Sequence, residues 1–207
     1  MGRNSIDDIR KPQILEHFRA VINEEGFHKA SIARVAKRMS VSPNLLVHYF
    51  KSKDAMVLEL FELLMGEYFE FVGTTTAGKK PGEQRLKAML KAMFGIGINK
   101  QLLTEKCFYA LYYISLSDKK VSKRMKQVYD KRTIELVSEV QSAIDNGEIS
   151  TSNPEKMTAL VMALFEGFSF MANLRAEDSY FEEFGEYFYQ KAWSMLSTGD
   201  TTISSGN

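Results

Sequence analysis

The stretch GFHKASIARVAKRMSVSPNLLVHYFKSKDAM, residues 26–56, decides how the chain is read. Ser31 offers a side-chain oxygen to cap a helix start and is followed by Ile32, Val35 and Ala36 at helical spacing, which predicts a short helix ending around Met39. Ser42 and Pro43 then restart the helix, a cap followed by a residue whose missing N–H is harmless in the first turn, with Leu46 and Phe50 facing inward. Two short helices, 31–39 and 43–50, joined by a tight turn have the dimensions of a helix-turn-helix. At about 1.5 Å per residue the second is about 12 Å long, matched to a major groove about 12 Å wide.

Working outward, a first helix is expected to start near Pro12, run Ile14, Leu15, Phe18 and Ile22 along one face and stop at Gly26, with Phe27 packed back over its end. Ser52 with Asp54 opens a long helix through Met56, Leu60, Phe61, Leu64 and Tyr68, which gives way to the loop GTTTAGKKPG, residues 73–82. Further helices are expected at 83–98, 100–116, 119–146, 154–174 and 180–197, with Asn146-Gly147 ending the third of these and Asn153-Pro154 beginning the fourth. No alternating strand pattern occurs, so the fold class is all-α, with about nine helices in total. A three-helix head, residues 8–54, carries the motif at about 31–50, and a larger helical body spans 55–197. The tail 198–207, TGDTTISSGN, is polar and small and is expected to be disordered.

Composition narrows the class. The chain has 207 residues, 44% hydrophobic and 26% charged, which suits a soluble globular protein. Its 27 Lys and Arg against 26 Asp and Glu give no overall basic signature. Locally the balance shifts: residues 1–55 hold ten basic and six acidic side chains, so the head is net positive and the remainder net negative. The single cysteine, Cys107, excludes an intrachain disulfide and a multi-cysteine metal site. Asp7 and Asp8 interrupt the N-terminus before any secretory apolar run develops. The longest apolar stretch, Ala159 to Leu174, contains Glu166 and is read as too short for a membrane span. A cytoplasmic protein without membrane partner, metal or cofactor is expected.

Residues 26–56 resemble the DNA-binding domain of the tetracycline-repressor (TetR) family of transcriptional regulators. The resemblance rests on Gly26-Phe27, Ser31, Val35-Ala36, Val41-Ser42, Leu46, Tyr49-Phe50 and Lys51-Ser52-Lys53-Asp54. It extends over residues 10–70, and in the body Asp145-Asn146-Gly147-Glu148-Ile149 is similar to the family's lead-in to its last two helices. The resemblance implies phosphate contacts by Ser31, Tyr49 and Lys53. It places Pro43, Asn44 and His48 towards base edges, with Ser42 beside them. The Asn44 amide can pair bidentately with adenine. Arg34, with Lys37 and Arg38, forms a basic run that is either DNA-facing or simply a wet helix face. The chain also departs from the family pattern: Ser40 stands at a turn position usually taken by a small residue or glycine, and Asn44, Leu45 and Val47 stand where Gly, Thr or Ser, and Tyr are common. The last two usually supply hydroxyls to phosphate, so the backbone has to be held otherwise here.

Of the 24 aromatic residues, 20 lie after residue 56, together with eight methionines. That abundance suits an adaptable ligand cavity, for which Met89, Met93, Phe94, Phe108, Tyr112, Met125, Tyr129, Phe165 and Phe168 are candidate lining residues as well as candidate core. Arg132 falls on the row Val128, Leu136, Val140, Ile144, where an apolar residue is expected. It either meets an anionic ligand, pairs with an internal acid, or lays its stem along the helix edge with its head in water, and Glu166 has a similar status. Residues 154–174 and 180–197 are apolar on more than one side, through Leu160, Leu164, Phe165, Phe168, Met171, Phe181, Phe184, Phe188 and Trp193. The resemblance implies that these last two helices pair with their twins in a homodimer, with Leu160, Leu164, Met171, Phe181, Phe184, Phe188 and Trp193 as the interface set.

All three histidines, His17, His28 and His48, lie in the head, so the body lacks a histidine base and Cys107 lacks a histidine partner there. The chain is therefore not read as an enzyme. The expected function is a sequence-specific, homodimeric regulator of double-stranded DNA, a repressor released from a near-palindromic operator by a small apolar or amphipathic ligand. The competing readings are a DNA-binding regulator controlled by a protein partner or by no small ligand, and an α-helical lipid or acyl carrier.

Overall fold

The computed structural model describes residues 3–96, 106–151, 153–175 and 178–198. Among them are nine helices: α1 (Arg3–Glu25), α2 (Ile32–Met39), α3 (Pro43–Tyr49), α4 (Lys53–Thr76), α5 (Glu83–Met93), α6 (Lys106–Ser115), α7 (Lys119–Asp145), α8 (Pro154–Arg175) and α9 (Asp178–Thr198). No strand occurs among the described residues, so the fold is all-α as read from the sequence. The expected tail falls, apart from Thr198, outside the described residues, as do the start of the helix expected at 100–116 and the last two positions of the one expected at 83–98.

Two compact units divide the chain. One contains α1 to α3, α4 as far as Tyr68, α6, and α7 as far as Lys126. The other contains α4 from Phe69, α5, α7 from Gln127, α8 and α9. Thus α4 and α7 each contribute to both.

The first unit is built around Ile14, Leu15, Phe18 and Ile22 of α1, which are buried with Val35 and Ala36 of α2, Leu46 of α3 and Phe50. α1 does not begin at Pro12 but runs through it. Proline inside a helix forfeits one backbone hydrogen bond. Here the adjoining residue is anchored, because Lys11 Nζ reaches Glu59 of α4 at 2.8 Å and lies 5.4 Å from the Phe50 ring centre. Arg19 does the same one register further on, meeting Glu67 at 3.1 Å. Arg124 of α7 pairs bidentately with Glu62, so α4 presents acids to both neighbours.

Two further helix ends differ from expectation. α4 continues three residues past Gly73, and there Thr74 and Thr75 return their hydroxyls to the Phe71 carbonyl and Thr76 to that of Val72, each at 2.8 Å. α5 stops at Met93, and the chain turns through Gly95 at φ +78°.

The second unit has an aromatic centre. Phe168 of α8 lies 5.5 Å from Phe94, 5.3 Å from Phe181 and 5.0 Å from Phe188, centre to centre, and Leu90, Val140, Val161, Ala192 and Leu196 are buried in the same core. Phe181, expected at a dimer interface, is instead buried here, because the start of α9 turns that side of the helix onto Phe168. α9 passes close to the end of α5 at Gly185, where a Cβ would lie 2.5 Å from the Phe94 carbonyl oxygen. α8, at 22 residues, is long and apolar enough to cross a membrane, contrary to the sequence expectation, yet its row Val161, Phe165, Phe168 and Ala172 packs into this core.

The segment Asn146-Gly147-Glu148 clasps the start of α5. Glu148 Oε2 accepts from the Glu83 N–H at 2.7 Å, Glu139 accepts from the Gly82 N–H at 2.9 Å, and Asn146 Nδ2 donates to the Pro81 carbonyl. Carboxylates at a helix N-terminus satisfy its orphan donors and its dipole together. Gly82 sits at φ +100° with space for no Cβ: one would fall 2.4 Å from Glu148 Oε2. Gly82→Ala is therefore expected to destabilise the protein by at least about 1–2 kcal/mol, read as a lowered midpoint in urea. An unchanged midpoint would show that the clasp opens without cost.

Candidate nucleic-acid interface

Helix α2 begins where Ser31 Oγ accepts from the Arg34 N–H at 3.2 Å, so this hydroxyl is the cap that the sequence implies. It ends at Ser40, whose φ of +56° makes it the one non-glycine residue with positive φ among the described residues. The Val41 N–H donates to the Ala36 carbonyl at 3.0 Å, and the Ser40 N–H turns back on Lys37 at 3.2 Å. This left-handed closure usually takes glycine, and a side chain there costs about 1–2 kcal/mol. It turns the chain sharply enough to start α3 after two residues.

α3 spans seven residues. Ser42 precedes Pro43 without making a side-chain cap, so its exposed hydroxyl is uncommitted to the helix. Leu46 is fully buried and Phe50 closes the helix with its N–H on the Leu46 carbonyl at 2.8 Å. These two anchors fix the rotation of α3: Pro43, Asn44 and His48 are exposed, and Tyr49 is half-buried with its ring edge-on to His48 at 5.4 Å. Burial thus puts outward the three residues that the sequence placed towards base edges.

The cations are distributed differently from their count. Arg38 makes a bidentate pair with Glu24, at 2.6 and 2.9 Å, and Arg34 lies 3.4 Å from Glu25. Lys53 donates to the Phe27 carbonyl at 2.6 Å with its ammonium 3.8 Å from the Phe27 ring centre. Burial lowers its pKa, against the opposing pull of Asp54. Lys53 thereby ties the α1–α2 turn to the start of α4. Arg10, Lys29, Lys37 and Lys51 are exposed, and no ion pair to them is seen among the described residues. Sequence reasoning singled out Arg34 and Lys53, but the pairing that separates held from open cations depends on α1 acids distant from the motif.

The family model for bacterial regulatory proteins of the tetR family matches residues 14–60, and that for the tetracyclin repressor-like C-terminal domain matches residues 82–198. The chain belongs to the TetR family. A TetR-family relative, the HTH-type transcriptional regulator BetI of Vibrio atlanticus (strain LGP32), is 31% identical over 137 residues, covering 65% of this chain and 67% of the relative. A transcriptional regulator from Saccharomonospora viridis, solved in complex with choline, matches with a TM-score of 0.79 at 14% identity over 91% of this chain and 96% of that one. FadR from Bacillus subtilis, solved in complex with stearoyl-CoA, matches with a TM-score of 0.70 at 16% identity over 91% and 98%. Those two structures share the TetR fold. As a TetR-family member the chain is a DNA-binding transcriptional regulator and not an enzyme.

Of the body residues named from sequence, Met93, Phe94, Phe165 and Phe168 gather in the aromatic core of this TetR body, with Met89 and Tyr129 packed against it. Met125 is buried and Tyr112 exposed in the other unit, and the Phe108 side chain lies outside the described residues. Met89 also lines a groove of about 400 Å³ with Phe69, Val72, Lys131 and Ile134, above which Lys131 lies 3.8 Å from the Phe69 ring centre. Arg132 takes the internal-acid alternative. Its side chain is 12% exposed, its guanidinium is 3.7 Å from Glu166, and its carbon lies 4.9 Å from the Phe165 ring centre and 5.5 Å from that of Tyr129.

Two outcomes follow for the TetR head. Ser40→Gly is expected to raise stability by about 0.5–1 kcal/mol, strain relief exceeding the added freedom of the unfolded chain; a loss in urea unfolding would assign the serine a bonding role in the turn. Lys51→Ala should reduce the slope of log affinity against log salt by about one for each DNA-bound head, measured on any fixed duplex, whereas an unchanged slope would place Lys51 away from phosphate.

Proposed function

We propose that this regulator is a homodimeric repressor that reads a near-palindromic operator through α3 and leaves it when a small amphipathic ligand occupies the body. The observation that carries the reading is a second apolar seam on α8. Leu160, Leu164, Gly167, Met171 and Leu174 recur at alternating intervals of four and three, the spacing of helices that pair side by side. They lie outside the core row: Leu160 is 42% and Leu174 68% exposed, Leu164 and Met171 are half-buried, and Gly167 is open. Phe170 and Tyr187, more than half exposed, widen the patch. Leu164 also packs against its own core, and the open remainder of the seam, Leu160, Gly167 and Leu174, suits a twin. Phe184, Phe188 and Trp193 of α9, named with it from the sequence, are half-buried and pack against the chain's own core, Phe188 lying 5.0 Å from Phe168.

Two copies related by a twofold axis would set their α3 helices in successive major grooves, about 34 Å apart, and so select a palindrome. The residues proposed to meet DNA are Ser31, Ser42, Tyr49 and the exposed lysines at phosphate, with Pro43, Asn44 and His48 at base edges. Arg34 and Lys53 are proposed to brace the head. A cytoplasmic site of action belongs to the same reading, since that is where the operator lies. For the ligand, support comes from the groove beside Met89, where Phe69, Val72 and Ile134 meet Lys131, Glu135 and Glu139, a lining suited to an amphipathic molecule. Of the two similar structures, one holds stearoyl-CoA, which is amphipathic, and the other choline, a small quaternary ammonium cation. α4 contributes to both units and is the proposed transmitter. A ligand preferring the non-binding arrangement a hundredfold shifts the equilibrium by about 2.7 kcal/mol, enough to empty an operator.

Selection of bound duplexes from a random pool should recover a near-palindrome with the wild-type protein, and a weakened or altered one with Asn44→Ala. A single asymmetric site would overturn the dimer reading. Leu164→Glu should convert a dimer to monomer in sedimentation and cost operator binding at least tenfold. A Leu164→Glu protein that stays dimeric would move the interface elsewhere.

A further inference from the structure

We infer that Leu45 and Val47 read thymine, seating against C5-methyl groups in the major groove. The inference rests on α3 being the reading helix. Leu45 is 41% and Val47 47% exposed, and no other large hydrophobic side chain is as open between residues 10 and 68. Leu46, between them, is fully buried, so neither neighbour can turn into the core without tearing the helix from its seat.

Helical spacing gives their positions. At 3.6 residues per turn, Asn44 and His48 share one row, and Leu45 and Val47 flank that row on opposite sides. The outward face of α3 is therefore a polar row bordered by two branched aliphatic chains. Neither can bond a phosphate. On the edges of the base pairs in the major groove, the thymine methyl is the apolar group available for such contact. An Asn44 amide on adenine N6 and N7 would bring α3 onto an A·T pair, within reach of its own and adjacent thymine methyls. The head's exposed lysines, Lys29, Lys37 and Lys51, suit a polyanion rather than an apolar protein partner.

The test uses the duplex selected by the full-length protein, remade with each thymine singly replaced by deoxyuridine. That change removes one methyl and keeps the pairing edge. Wild-type affinity is measured for each duplex by fluorescence anisotropy, and the series is repeated with Leu45→Ala and Val47→Ala. At least one thymine per half-site should lose about fourfold in affinity on demethylation, the worth of one buried methyl-sized group. That penalty should vanish in one of the two variants and persist in the other. The inference is overturned if the wild-type protein binds its selected duplex and is indifferent to every deoxyuridine, or if the penalties survive in both variants. Should a variant fail to fold, the wild-type series still decides whether methyls are read. Failure to enrich any duplex would overturn α3 as reading helix, a distinct result.

Discussion

A helix of seven residues cannot hold itself together in water, since nucleation costs more than so few backbone bonds return. α3 exists because Leu46 and Phe50 are buried, and everything the head presents to DNA follows from that seat. With those two side chains inward, Asn44 and His48 are turned outward, and Leu45 and Val47 are left at the borders. The left-handed Ser40 brings α2 close enough to supply part of the seat through Val35 and Ala36. Lys53 closes the far side by binding the Phe27 carbonyl. The proposed reading chemistry and the folding chemistry are thus carried by alternate faces of the same few residues.

The head was legible because its signals are local. Ser31, Ser42 with Pro43, and Ser52 mark helix starts by rules that operate within four residues, and Val35, Leu46 and Phe50 follow helical periodicity. The structure agrees with each of these helices. The Asn153-Pro154 start of α8 was readable for the same reason, and Asn153 Oδ1 accepts from the Lys156 N–H at 2.9 Å.

Where the reading differed, a distant partner decided. Pro12 looked like a helix start, but Lys11 beside it is held by Glu59, 48 residues away. Phe181 had the apolar character of an interface residue and became core because Phe168 receives it. The DNGEI segment could be recognised as a family feature without its purpose; its acid caps α5, 65 residues upstream. Arg132 left three alternatives open in the sequence, and the structure sets it beside Glu166 and over the Phe165 ring of α8.

The glutamates at the end of α1 have a consequence for how such a regulator can be retuned. Glu24 and Glu25 hold Arg38 and Arg34 on α2, within the motif but outside α3. Neutralising either acid would release a guanidinium near the binding face without altering a residue that reads bases. The head therefore stores positive charge in reserve, and overall grip and sequence choice can drift independently. A lineage could tighten its hold on an unchanged operator by one substitution, or move to a new operator through α3 while keeping the same grip.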